Sequence, residues 1–115
     1  EKWLGVPYRY GGTTRSGVDC SGLVGEIYKQ VYGIGLQRNS ARILQFNCKE
    51  ISKKDLREGD LVFFSSQKKK SKINHVGIYL KRDKFVHAGS KGVVIDSLGA
   101  AYYQRHYVAS GRVKR

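Results

Sequence analysis

Apolar residues recur along this chain with two different periods. Between residues 19 and 33, Leu23, Val24, Ile27, Tyr28 and Val31 fall at helical spacing. Asp19 precedes this run as an N-cap and Gly33 follows it as a stop, so one long helix is predicted between them. A second, short helix is predicted over about 40–46, capped by Asn39 or Ser40. Beyond Lys53 the period becomes that of strands. Residues 61–64 form a short apolar run after the turn Glu58-Gly59-Asp60, and 75–80 alternate with Val76, Ile78 and Leu80 on one face. Strands are also predicted at 85–88, 92–96 and 107–113, with a helical turn at 100–104. Residues 5–17, holding Pro7 and the pair Gly11-Gly12, read as an ordered loop. Helices first and then strands joined by tight turns predict an α+β domain, its N-terminal helices packed on an antiparallel sheet.

Composition bounds this picture. At 115 residues the chain is expected to form a single domain, 1–115. With 40% hydrophobic residues it is not a disordered segment, and no apolar run approaches the ~20 residues of a spanning helix. Met is absent, so Glu1 is not read as a translation start and the chain is expected to be a processed product or an excised domain. A monomer is expected.

Charge complicates the picture. Lys and Arg number 22 against 9 acidic residues, a net of +13. Residues 61–115 hold twelve basic side chains and only two acidic ones, Asp83 and Asp96. The densest run, Lys68-Lys69-Lys70-Ser71-Lys72, is read as an exposed loop. Such a surplus invites a nucleic-acid or other polyanion partner. No aromatic residue sits in the lysine loop to stack bases, so nucleic acid is not expected.

The chemistry centres on a few side chains. Cys20 would open the first long helix, where free N–H groups and the helix dipole favour an anion and are expected to lower the thiol pKa. His75 begins one strand and His87 lies on the next. A hairpin register pairing residues of equal parity would put both imidazoles on one face, within reach of each other. A thiol, a base and a polar group orienting that base form a nucleophile triad. The opposing reading of Cys20 is a small buried hydrophobe. Cys20, His75 and His87 as zinc ligands is a further alternative. It is disfavoured because paired ligand motifs are missing and carboxylates look scarce near both histidines, so no metal or cofactor is expected. His106, among tyrosines, reads as structural or surface, and Cys48 as a partly buried free thiol.

Ordered motifs then carry a resemblance. Val6-Pro7-Tyr8-Arg9-Tyr10-Gly11-Gly12, Val18-Asp19-Cys20-Ser21-Gly22-Leu23-Val24 and Arg57-Glu58-Gly59-Asp60-Leu61-Val62-Phe63-Phe64 resemble the signature of the NlpC/P60 cell-wall cysteine peptidases. Asn74-His75-Val76-Gly77-Ile78-Tyr79-Leu80 and Phe85-Val86-His87-Ala88 continue it in order. The resemblance implies a papain-like α+β fold, with Cys20 as nucleophile, His75 as general base and then acid, and His87 orienting His75. It implies hydrolysis of peptidoglycan stem peptides, at the bond between D-γ-glutamate and meso-diaminopimelate or L-lysine, in a bacterial cell envelope. Anionic cell-wall polymers then become the natural partner of the basic surface.

Tyr8 matches a family tyrosine that helps hold substrate or the oxyanion. Asp19 and Ser21 match positions that shape the pocket, and Asn74 stands where many members carry Ser before the base. Gly11, Gly12 and Gly22 are expected to let substrate approach closely. Gln37 before Arg38, and Ile43 three residues after Ser40, depart from the family pattern. A related amidase or acyltransferase, and a non-catalytic binding module, are the competing functions.

Overall fold

The computed structural model describes residues 3–66 and 72–114, and the lysine run at 68–70 lies outside the described residues. A two-residue hairpin, β1 (Thr13–Thr14) with β2 (Gly17–Val18), leads into helix α1 (Cys20–Tyr32). Asp19 caps this helix by accepting the Gly22 N–H at 2.7 Å. Gly33 ends it in the left-handed region at φ 68°, where a residue without Cβ is favoured. Leu23, Val24 and Tyr28 on its inner face are buried, each contributing about 1.5–3 kcal/mol relative to exposure.

The predicted second helix takes a different form. Only Ser40–Arg42 (α2) is α-helical, and Ile43–Asn47 continue as a π-helical turn. Asn39 caps α2 through Arg42 N–H at 3.2 Å. The wider turn keeps Ile43 wholly buried and delivers the chain into β3 (Cys48–Ile51) with Cys48 against the core. Strand β3 escapes the apolar pattern because it is a four-residue edge strand whose two central residues, Lys49 and Glu50, are exposed.

The remaining strands follow the predicted pattern: β4 (Leu61–Phe64), β5 (His75–Tyr79), β6 (Lys84–Gly89), β7 (Gly92–Ser97) and β8 (Tyr107–Val113). Together with β3 they form a six-stranded antiparallel sheet in the order β3-β8-β4-β5-β6-β7. Alternation along the strands builds a core on each face. Leu61, Phe63, Val76 and Ile78 cluster with Val24 and Tyr28 of α1. Val62, Phe64 and Phe85 cluster with Leu98 on the opposite face. The turn expected at 100–104 is a helix, α3 (Ala101–His106), and its Tyr103 packs on this second cluster. Helices therefore cover both faces of the sheet.

Register decides what meets at the centre. Ile78 pairs with Val86 and Tyr79 with Phe85, residues of equal parity, so the side chains of His75 and His87 project from the same face. The β5–β6 ladder stops at Ile78–Val86. Odd-numbered amides of β5 point toward β4, as Tyr79 N–H does to Asp60 O at 2.7 Å. The N–H of Val76 therefore faces the seam where β5 and β6 part, while Asn74, just before the strand, breaks the alternation by donating its N–H to Phe64 O in β4 at 3.0 Å. Gly77 lies beside this seam, where a Cβ would stand 2.8 Å from the Phe85 ring and 3.1 Å from the His87 Cβ. The missing side chain is what lets His87 come this close.

Candidate active site

Helix α1 aims its first residue into the open seam. The Cys20 sulfur lies 3.8 Å from the Asn74 carbonyl oxygen, and the Val76 N–H also faces it. The thiol thus meets the backbone on either side of His75. Because Asp19 takes the Gly22 N–H, the first two helical amides, of Cys20 and Ser21, are left facing the same sulfur.

These amides favour a thiolate, yet they do not prevail. Burial pushes the Cys20 thiol above its usual range, and the nearby Asp19 charge adds to the rise against the pull of the Val76, Ser21 and Cys20 N–H groups. This corrects the expectation of a lowered pKa. The helix start is there, but the sulfur is packed against the apolar core rather than set in an electropositive pocket.

Behind the seam stands a chain of side chains. His75 Nε2 is 2.7 Å from His87 Nδ1, with the two rings nearly perpendicular. His87 Nε2 is 2.7 Å from Asp96 Oδ2, which also accepts from the Tyr103 hydroxyl at 3.1 Å. His87 is 2% exposed. Burial and the neighbouring His87 push His75 down to about 3, so its imidazole is neutral at neutral pH. Burial also lowers His87, against the raising influence of Asp96.

Asp96 and Tyr103 escaped the sequence reading, which found carboxylates scarce near both histidines. The structure corrects that reading, and a signal for it was present. Ser90 and Lys91 form a two-residue turn that pairs Gly89 with Gly92 and hence Phe85 with Asp96. That register sets Asp96 on the same face as His87.

A cavity of about 720 Å³ opens onto the imidazoles, lined by Tyr8, Asn74, His75, His87, Tyr103 and His106 among others. Tyr8 is 43% exposed there and lies close enough to Cys20 to feel its charge. Asn74 braces the cavity wall, donating from Nδ2 to the Ser66 hydroxyl at 2.6 Å and accepting the Ser66 N–H at 3.1 Å. His106, read as structural or surface, is half-buried on the rim, its Nδ1 donating to the Ser65 carbonyl at 2.7 Å.

Asp19 and Ser21 face inward instead. Asp19 accepts the Gly11 N–H at 2.8 Å on its second oxygen, pinning the preceding loop. Ser21 donates to the Arg38 carbonyl at 3.0 Å. Gly12 and Gly22 also serve the fold, since a Cβ on Gly22 would strike the Gly12 carbonyl and the Asp19 carboxylate. The closest neighbours of a Cβ at either position are backbone carbonyls. Cys48 is buried rather than partly exposed, its thiol pushed up to about 12 by burial and Asp60, and both cysteines are free. A separate, more apolar groove of about 450 Å³ lies along α1, between Trp3, Ile27, Val31 and Ile95, and carries no thiol or imidazole.

Known proteins resemble this chain along nearly its whole length. The NlpC/P60 family pattern matches residues 5–112. A probable endopeptidase NlpC homolog from Haemophilus influenzae is 42% identical over 113 residues, covering 97% of this chain and 58% of that protein. The murein DD-endopeptidase MepS/murein LD-carboxypeptidase of Escherichia coli K12 is 40% identical over 112 residues, covering 96% of this chain and 57% of that protein. This chain therefore spans somewhat over half the length of these relatives. A solved structure of a lipoprotein-like NLP/P60 family protein from Staphylococcus aureus superposes with a TM-score of 0.89 at 34% identity, covering 99% of this chain and 38% of that one. The motifs, the papain-like α+β fold and the family match converge: the chain belongs to the NlpC/P60 family.

Proposed function

We propose that this chain is a cysteine endopeptidase of the bacterial cell envelope that hydrolyses peptidoglycan stem peptides. The observation that carries the reading is the Cys20 thiol held in the β5–β6 seam against the backbone flanking His75, with His87 hydrogen-bonded behind the imidazole.

In this reading the Cys20 sulfur attacks the amide carbonyl while His75 takes the thiol proton. The oxyanion develops against the N–H groups at the start of α1 and the Tyr8 hydroxyl. His75 then delivers the proton to the departing amine, leaving a thioester on Cys20. Water, deprotonated by His75, attacks the thioester and releases the acyl half as a carboxylate. Thiol and neutral imidazole are regenerated together. Because burial raises the thiol and lowers the imidazole, the resting pair is neutral, and proton transfer accompanies attack rather than preceding it.

The finer reading is cleavage between D-γ-glutamate and a diamino acid, which the motifs around Cys20 support. The name of the Escherichia coli relative favours a second reading, cleavage of a DD or LD bond. The basic surplus fits attraction to an anionic wall matrix, and no helix among the described residues is long and apolar enough to cross a membrane. Digestion of purified muropeptides, with products weighed by mass spectrometry, tests all of this. Release of a fragment beginning at the diamino acid is expected. Loss of terminal D-alanine or separation of cross-linked dimers alone would select the second reading. Intact muropeptides across a range of pH would overturn both.

A further inference from the structure

We propose that Asp96 is a positioning residue of the catalytic chain, fixing the tautomers of both imidazoles so that the unprotonated nitrogen of His75 is Nδ1. The inference rests on the endopeptidase reading for its kinetic consequences but on geometry alone for the tautomers.

The chain of hydrogen bonds is set from its outer end, the carboxylate. A carboxylate only accepts hydrogen bonds, so at 2.7 Å the His87 Nε2 must carry the proton. A neutral His87 then has a bare Nδ1. That nitrogen, 2.7 Å from His75 Nε2, must accept, so His75 carries its proton on Nε2. The one ring nitrogen of His75 left without a proton is Nδ1. Each link leaves a single choice for the next, and the choice is made at Asp96.

Tyr103 holds the anchor in place. Its hydroxyl donates to the same Oδ2 at 3.1 Å, and its ring packs edge-on against His87 and Phe85. Asp96 itself is 39% exposed at its side chain, so it stands at the outer end of the chain while His87 is sealed inside. Among the described residues, the polar groups shown bonded to His87 are His75 from β5, Asp96 from β7 and Tyr103 from α3. Without Asp96 the sealed imidazole keeps no fixed donor direction. Either ring could reverse, placing a proton on His75 Nδ1, where a base is needed. The negative charge has a second effect: it stabilises the imidazolium that forms as His75 takes the thiol proton.

The test combines a structural and a kinetic readout. Long-range proton–nitrogen NMR correlations of the imidazoles at neutral pH report which nitrogen carries hydrogen. In the unmodified chain both His75 and His87 are expected as Nε2–H tautomers. Asp96→Ala is expected to mix the tautomers and to lower kcat about 10²-fold with little change in KM. Asp96→Asn has nearly the same shape but an amide that donates as well as accepts, so it too is expected to mix the tautomers and lower kcat while keeping the fold. Should Asp96→Ala not fold, Asp96→Asn and the unmodified spectrum still decide the matter. A His87 carrying its proton on Nδ1 in the unmodified chain would overturn the proposal, as would Asp96→Ala retaining both tautomers and its kcat. A chain with the expected tautomers but no turnover of stem peptides would instead count against the endopeptidase reading.

Discussion

Cys20→Ala is expected to abolish stem-peptide turnover, by about 10⁵-fold or more, while the protein keeps its fold. The size follows from where the sulfur stands. It occupies a gap in the β5–β6 ladder, bounded by the Asn74 carbonyl and the Val76 N–H. The described residues around that gap supply no second thiol or primary hydroxyl at the same point. Ser21 is adjacent in sequence, but its hydroxyl is committed to the Arg38 carbonyl on the other side of the helix start. Cys48 is buried against the core near Asp60 and belongs to a different part of the sheet. Removing one sulfur from a half-buried position leaves the caps of α1 untouched, because Asp19 bonds Gly22 and Gly11, not Cys20. Circular dichroism and thermal unfolding should therefore match the unmodified protein within about 1–2 kcal/mol. Turnover surviving in this variant would remove the sulfur from the mechanism.

His75→Gln is expected to lower kcat by about 10³-fold at neutral pH, the next largest effect. With the thiol pushed up by burial, little thiolate exists without a base to take the proton. The variant's residual activity should therefore climb as pH rises and hydroxide does the work. The unmodified protein should show no such climb. Its base is already neutral down to about 3, so kcat/KM should hold level through the mildly acidic range, where an ordinary imidazole would be protonated and lost.

Stability carries the same signature with a definite sign. In the unfolded chain His75 titrates near 6.5, and in the folded chain near 3. Between these values the unfolded state binds more protons, so stability is complete above about 6.5 and falls as pH drops toward 3. His75→Gln should flatten that fall. Denaturant midpoints measured from pH 7 to pH 4 check it, and an equally steep loss in the variant would assign the acid sensitivity elsewhere.

Much of this was legible in the sequence, for physical reasons that differ from residue to residue. The caps of α1 were readable because Asp19 and Gly33 act locally, through one hydrogen bond and one left-handed residue. The strands were readable because alternation and tight turns are local too. The meeting of His75 and His87 needed only a parity, and the Ile78–Val86 pairing supplies it. Strand β3 was hidden because an edge strand needs no apolar alternation. Asp96 was hidden by counting carboxylates rather than following the register of the Ser90-Lys91 turn. The thiol was misjudged because a helix N-terminus is visible in a sequence, whereas the burial that outweighs it is a property of the packed whole.

In the proposed mechanism one sulfur, Cys20, carries the reaction. The most direct measurement titrates it: alkylate the protein in stages with iodoacetamide, map the label by peptide mass spectrometry, and measure muropeptide turnover at each stage. Buried Cys48, its thiol pushed up to about 12, serves as the internal control and should stay unlabelled while the fold is intact. Turnover is predicted to fall in strict proportion to the fraction of Cys20 alkylated and to reach zero when that fraction reaches one. Full alkylation of Cys20 with turnover preserved would contradict the account.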